Sequence, residues 1–277
     1  MDRGIKSMPV WKWALLLLAS LFLSVNLYGL GQAAFDVFGA KWAQCLTAVC
    51  VAAAMVALYA LFVKWFERHP ARDLPLNRLA PDALKGLGLG VVYFVVLVLV
   101  MFVCGLYKFD AFGTDRPWAI VTAFFNFLIV GVGEEIIFRG VLFRWIDEKW
   151  GFAIALAVSS LLFGLIHLFN AGATLWSAFA IAVEAGLLLG AACKYAGTLW
   201  LPIGIHWAWN FTQGNIFGFP VSGTEAGESL IRSSVQGPDL LTGGVFGAEA
   251  SILSVALGLL LSLWFIVKVC QKTGAEA

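Results

Sequence analysis

Residues 86–107 read GLGLGVVYFVVLVLVMFVCGLY, twenty-two positions without a charged side chain. A helix needs about 20 mainly apolar residues to cross the hydrocarbon core of a bilayer, so the stretch is read as a membrane span. Residues 42–63 do the same, again without charge. Outward from these two, six more spans follow at 10–30, 118–143, 151–172, 175–193, 199–219 and 250–267. The fold class expected is all-α: a polytopic transmembrane bundle of about eight helices. Helices are expected because backbone groups in lipid must be satisfied within the segment, and no ten-residue alternation marks an outer-membrane barrel.

Composition agrees. Of 277 residues, 61% are apolar and 13% charged, with mean hydropathy +0.89, whereas soluble domains carry roughly a quarter charged residues. The net charge of +1 gives no sign of a nucleic-acid partner. The five cysteines have no C-x-x-C spacing and read as packing or lipid-facing residues. The first span is too long for a signal peptide and is expected to stay as a helix.

Short cytoplasmic loops collect Lys and Arg. With the N-terminus inside, that side receives Arg3, Lys6, Lys12, Lys64, Arg68, Arg72, Arg78, Lys85, Arg144, Lys149, Lys194, Lys268 and Lys272. The other side receives Lys41, Lys108, Arg116 and Arg232. Both termini are therefore expected in the cytoplasm, with Arg139 alone placed inside the membrane. Trp11, Trp13, Trp42, Trp65, Trp118, Trp145, Trp150, Trp176 and Trp200 lie near span ends, where aromatic belts form. The basic linker 67–85 is expected on the cytoplasmic face, with His69 a solvated loop residue. Residues 1–110 read as a variable front portion and 111–277 as a functional core.

Ionisable groups deep in a span cost about 2.5–3.5 kcal/mol each on insertion scales and are functional candidates by default. Glu134, Glu135 and Arg139 fall in the fourth span, His167 in the fifth, Glu184 in the sixth, and His206 with Asn210 in the seventh. Glu135 and Arg139 are four apart and can pair along one face. Glu134 is turned by about 100° and is left for another partner. His206 and Asn210 again share a face. Four helices can thus aim polar groups at one cavity, although each group alone has a plainer reading as an ion pair, a core histidine or helix-to-helix glue. Gly186 and Gly190 permit close helix packing.

GVGEEIIFRG carries E-E-x-x-x-R, FGLIH carries F-x-x-x-H at Phe163 to His167, and IHWAWN carries H-x-x-x-N at His206 to Asn210. In this order, over 131–211, the motifs resemble the CPBP (Abi) family of intramembrane glutamate proteases. That family includes CAAX prenyl endopeptidases and enzymes linked to bacteriocin processing and self-immunity. Residues 220–223 and 237–251 look like a loop of a bacterial branch, with no catalytic role assigned.

The resemblance implies an integral protein of the bacterial inner membrane that hydrolyses a peptide bond in a membrane-associated peptide or protein. Glu134 would activate a water held with His167, His206 and Asn210 would donate to the oxyanion, and Glu135 and Arg139 would position the site, with no cofactor. Zinc is the rival cofactor, since two histidines and a carboxylate can hold it. H-E-x-x-H is absent, however, and two ligating histidines would leave Asn210 as the only evident oxyanion donor. A non-proteolytic immunity or scaffold protein and a proton-coupled transporter using Glu134, Glu184 and the histidines are the other classes, the latter lacking evident repeats. Counting along the helices sets His167 well above His206, so tilt or displaced boundaries must bring them level.

Overall fold

Each of the eight apolar runs folds as a helix in the computed structural model, which describes residues 8–37, 39–225 and 227–275. Arg3 and Lys6 lie outside the described residues. The elements are α1 (Val10–Asp36), α2 (Lys41–Phe62), α3 (Leu76–Val103), β1 (Tyr107–Phe112), α4 (Pro117–Glu135), α5 (Arg144–Trp150), α6 (Phe152–Ile166), α7 (Leu175–Ile181), α8 (Leu187–Ala196), α9 (Trp200–Phe211), β2 (Ile231–Val235), α10 (Asp239–Thr242) and α11 (Ile252–Ala275). Helices α4 and α5 are joined by a π-helical stretch, Ile136–Phe143, into one rod, Pro117–Trp150; α7 and α8 are joined likewise through Ala182–Gly186.

Among the described residues seven helical rods are long and apolar enough to cross a membrane, which makes this an integral membrane protein. The eighth segment, read as 199–219, is shorter: α9 continues as a π turn only to Ile216. It lies in the interior, with nearly every side chain of α9 buried.

Glycine sets how closely α9 is held. Gly86 and Gly90 of α3 face Gly204 and Ala208 of α9, and a Cβ on Gly204 would lie 3.0 Å from the Gly86 Cα. Backbone contact of this kind admits only the smallest residues. Gly186 serves the same end inside the chain, since a Cβ there would meet the Ser160 Cα on α6 at 2.8 Å.

At the end opposite the linker, β1 and β2 pair antiparallel, with a bulge between Phe109 and Ala111. This small sheet was not expected from the sequence, because five or six residues carry too little alternation to stand out beside long apolar runs. The α3 rod begins at Leu76, earlier than the span read from residue 86, because Asp82 is buried and satisfied by Arg78 and Thr198. All five cysteines are free.

Trp11, Trp42, Trp65, Trp118 and Trp150 are exposed at helix ends. Trp13, Trp145 and Trp200 depart from the belt expectation. They are buried, with Trp13 edge-on to Trp150, Trp145 donating to Glu67 and Trp200 to the Pro75 carbonyl. His69 likewise is not merely solvated, since its Nε2 lies 3.1 Å from Glu67.

Candidate active site

Glycine 151, at φ 89°, reverses the chain between the α4–α5 rod and α6. Glu134 stands seventeen residues before that turn and His167 sixteen after it, so an antiparallel pair sets them level at about 24 Å from the turn. His206 reaches the same depth differently. The α8–α9 turn is recessed: Thr198, Leu199 and Trp200 are buried beneath the linker, where the Leu199 amide donates to the Asp73 carbonyl and Arg78 to that of Ala196. Helix α9 therefore starts inside the bundle, which removes the depth mismatch counted from the sequence.

Glu134, His167, His206 and Asn210 line one cavity of about 450 Å³. Phe163 stands between the histidines, its ring centroid 4.9 Å from that of His167 and 6.0 Å from that of His206. Arg139 lies over the same ring at 4.5 Å.

Both imidazoles are anchored through Nδ1. That of His167 donates to the Phe163 carbonyl at 2.6 Å, and that of His206 lies 2.8 Å from Glu135 Oε1. Since a carbonyl cannot donate, His167 carries its proton on Nδ1 and leaves Nε2 as an acceptor. His206 Nε2 lies 3.9 Å from Glu134 Oε2, an oxygen with no hydrogen-bond partner among the described residues. The Asn210 side chain is buried at the cavity wall.

Glu135 and Arg139 form the expected pair at 2.8 Å, fully buried. Arg139 also donates to the carbonyls of Ala185 and Gly186, at 3.4 and 3.2 Å. Both belong to a π-helical turn, where the wider ring breaks the regular i→i+4 pairing and leaves carbonyls for side-chain donors. Glu135 Oε1 thus receives Arg139 from its own helix and His206 from α9.

Glu184 is the exception among the polar residues expected at one cavity. It turns to the other side of its helix, where Tyr93 donates to it at 3.2 Å and Ser254 hydrogen-bonds to it. The sixth span thus carries its polar group away from the site, from within the π-helical turn Ala182–Gly186.

The cavity also holds residues the motifs did not reveal: Tyr28 and Gln32 of α1, Asn126 of α4, Asn170, and Ser222. Asn126 stands eight residues before Glu134, near its helical face, and Tyr28 and Gln32 are four apart, so a search for polar groups at helical spacing would have found them. Ser222 had no such signal. It is fixed from both sides, its amide donating to Glu249 and its carbonyl accepting from Asn170 at 2.9 Å. Loop 220–223 and loop 237–251 meet here, with the Gly223 amide donating to the Phe246 carbonyl and Gln213 to that of Pro220. Val221 and Ser222 line the cavity, and the hydrogen bonds to loop 237–251 hold them there.

A second, apolar groove of about 560 Å³ adjoins the cavity and shares Tyr28, Glu134, His167 and Asn170 with it. Val25 of α1 and Leu162, Leu165 and Ile166 of α6 border it, all exposed where lipid would lie.

Among the described residues no three His, Cys, Asp or Glu side chains are grouped as a set able to hold a metal ion. Residues 116–212 match the family model described as type II CAAX prenyl endopeptidase Rce1-like. The matched stretch is about a third of the chain and contains all three motifs. No curated protein matches the chain.

Proposed function

We propose that this chain is an intramembrane endopeptidase whose general base is Glu134, acting on a membrane-associated peptide or protein in a bacterial cytoplasmic membrane. The observation that carries the reading is the shared cavity, where an unbonded Glu134 oxygen faces two histidines whose Nδ1 atoms are already engaged. The match to an endopeptidase family over the same residues supports it.

Amide hydrolysis needs an activated water and donors for the developing oxyanion. In this reading a water between Glu134 and His167 gives its proton to Glu134 while its oxygen adds to the scissile carbonyl. Nε2 of His167 accepts the water's other hydrogen bond. The Asn210 amide and His206 Nε2–H donate to the tetrahedral oxyanion. For Nε2 of His206 to donate while Nδ1 donates to Glu135, the ring carries both protons, and its charge is met by Glu134 and by Glu135, the latter shared with Arg139. The C–N bond then breaks, and Glu134 returns the proton to the leaving amine.

The apolar groove between α1 and α6 gives a route from lipid to Glu134 for a substrate that never leaves the membrane. Away from the four residues it shares with the cavity its walls are apolar, which suits an apolar segment ahead of the cleaved bond.

Comparative proteomics of membrane fractions carrying wild-type or Glu134→Gln protein tests the reading. Peptides cut only by the wild type are expected; identical peptide sets would overturn it. Activity of the purified protein after chelation separates this mechanism from zinc-assisted hydrolysis: it is expected to persist, and loss restored by zinc would assign the histidines to a metal.

A further inference from the structure

A groove of about 1030 Å³ runs down the side of the bundle between α3 and α11, away from the cavity that holds Glu134. Buried Tyr93 and Phe265 lie at its base. Its walls are Leu89, Val92 and Val96 from α3 and Leu257, Leu260 and Trp264 from α11. Gly88 leaves a notch in the α3 wall, where a Cβ would meet nothing within 4 Å.

The charged residues of the groove all lie toward its linker end. Arg78, Lys85 and Lys272 stand there with one carboxylate, Asp82. Asp82 is buried and already taken by Arg78 and Thr198. Lys272 donates to the Tyr195 carbonyl at 3.0 Å and lies 4.2 Å over the Tyr195 ring. Lys85 is exposed and has no ion-pair or hydrogen-bond partner among the described residues. The rim therefore presents a net positive charge.

Length matches one leaflet. From Lys85 to Val96 the α3 axis rises by about 16 Å, against about 15 Å for half of a hydrocarbon core. A ligand with a compact anion at one end and hydrocarbon over that depth satisfies both the rim and the walls. Basic pockets between membrane helices hold anionic lipid headgroups in this way. An apolar partner helix would leave Lys85 and Lys272, which have no carboxylate partner among the described residues, without a counterpart at that end.

We propose that the α3–α11 groove is a specific binding site for an anionic phospholipid of the linker-side leaflet, its phosphate headgroup at Lys85, Arg78 and Lys272 and its acyl chains along the apolar walls. The site is independent of proteolysis, and no residue of the candidate active site takes part.

The test is native mass spectrometry of the full chain in detergent, incubated with an equimolar mixture of phosphatidylglycerol and phosphatidylcholine of identical chains. Wild type should retain phosphatidylglycerol in preference. Each near-surface lysine accounts for about fivefold, so Lys85→Ala/Lys272→Ala should lower phosphatidylglycerol retention about 30-fold at low salt and remove most of the preference. Gly88→Leu, which places an apolar side chain in the notch where a Cβ meets nothing, should reduce retention with the charges intact. Both lysines are exposed, so these variants should fold, and an unchanged unfolding midpoint would show it. Equal retention of the two lipids by wild type, an undiminished preference in the lysine variant, or a co-purifying polypeptide seated in place of lipid would overturn the proposal.

Discussion

Glu135 is fully buried and its Oε1 accepts two hydrogen bonds, from Arg139 and His206, which suits it to hold the site together rather than to meet a substrate. Neighbouring Glu134 lines the cavity, and it is the carboxylate proposed as the base. The two adjacent glutamates therefore predict different failures. Glu134→Gln is expected to lose activity by at least about 10²-fold with little change in stability. Glu135→Gln leaves Arg139 without its buried counter-charge and is expected to lower stability by about 3 kcal/mol, visible as a lower unfolding midpoint in detergent. Asn210→Ala should lower kcat by about 10²-fold, as loss of an oxyanion donor does; an unchanged kcat would remove Asn210 from the mechanism. The pairing of Glu135 with Arg139 was legible from their spacing. The bond to His206 was not, because spacing within one helix says nothing about which neighbour it meets.

Helices α3 and α9 depend on contacts that a methyl group disrupts. Gly204→Ala would bring a Cβ to 3.0 Å from both the Gly86 Cα and the Leu87 amide, so a loss of about 2 kcal/mol is expected. Gly88→Ala, on the same helix as Gly86 but facing open space, should leave the midpoint unchanged or slightly raised. Equal effects of the two variants would contradict the close approach. The wall of the cavity depends on Glu249, whose carboxyl burial pushes up to about 7 while hydrogen bonds from Ser222 and others oppose the rise. A carboxyl with a folded pKa above its unfolded value stabilises most below about pH 4.5 and loses that contribution as pH rises through 7, on the order of 3 kcal/mol. Stability measured across pH 4–8 should fall more steeply in wild type than in Glu249→Gln, which stays neutral.

The helices were readable because apolar length is a one-dimensional signal. The β1–β2 pair, the recessed start of α9 and the joining of loops 220–223 and 237–251 were not, since each depends on a partner far along the chain. The motif residues Glu134, His167, His206 and Asn210 meet at one cavity, yet Glu184, equally polar, faces Tyr93 and Ser254. A π-helical turn shifts which face a residue occupies, and nothing in the order of letters marks one.

At the scale of the molecule, basic residues gather at one end. The linker, the α5–α6 turn and the end of α11 carry Arg68, Arg72, Arg78, Lys149 and Lys272, while the β1–β2 end carries Lys108, Arg116 and Arg232. That asymmetry predicts the linker in the cytoplasm. In a cysteine-free background, Arg72→Cys should react with an impermeant thiol reagent only from the cytoplasmic side and Arg232→Cys only from the other. Labelling of both from one side would contradict eight crossings. The cavity runs from Glu134 toward the Ser222 loop, so aqueous access to the site is expected from the β1–β2 face, and lipid access through the groove between α1 and α6. All of this rests on Glu134 lying with His167 and His206 at one reacting centre. The most direct measurement is cleavage of a peptide identified by the proteomic comparison, in liposomes holding wild-type or Glu134→Gln protein of matched unfolding midpoint. Product from the wild type alone is the predicted result; equal turnover by the folded Glu134→Gln protein would contradict the account.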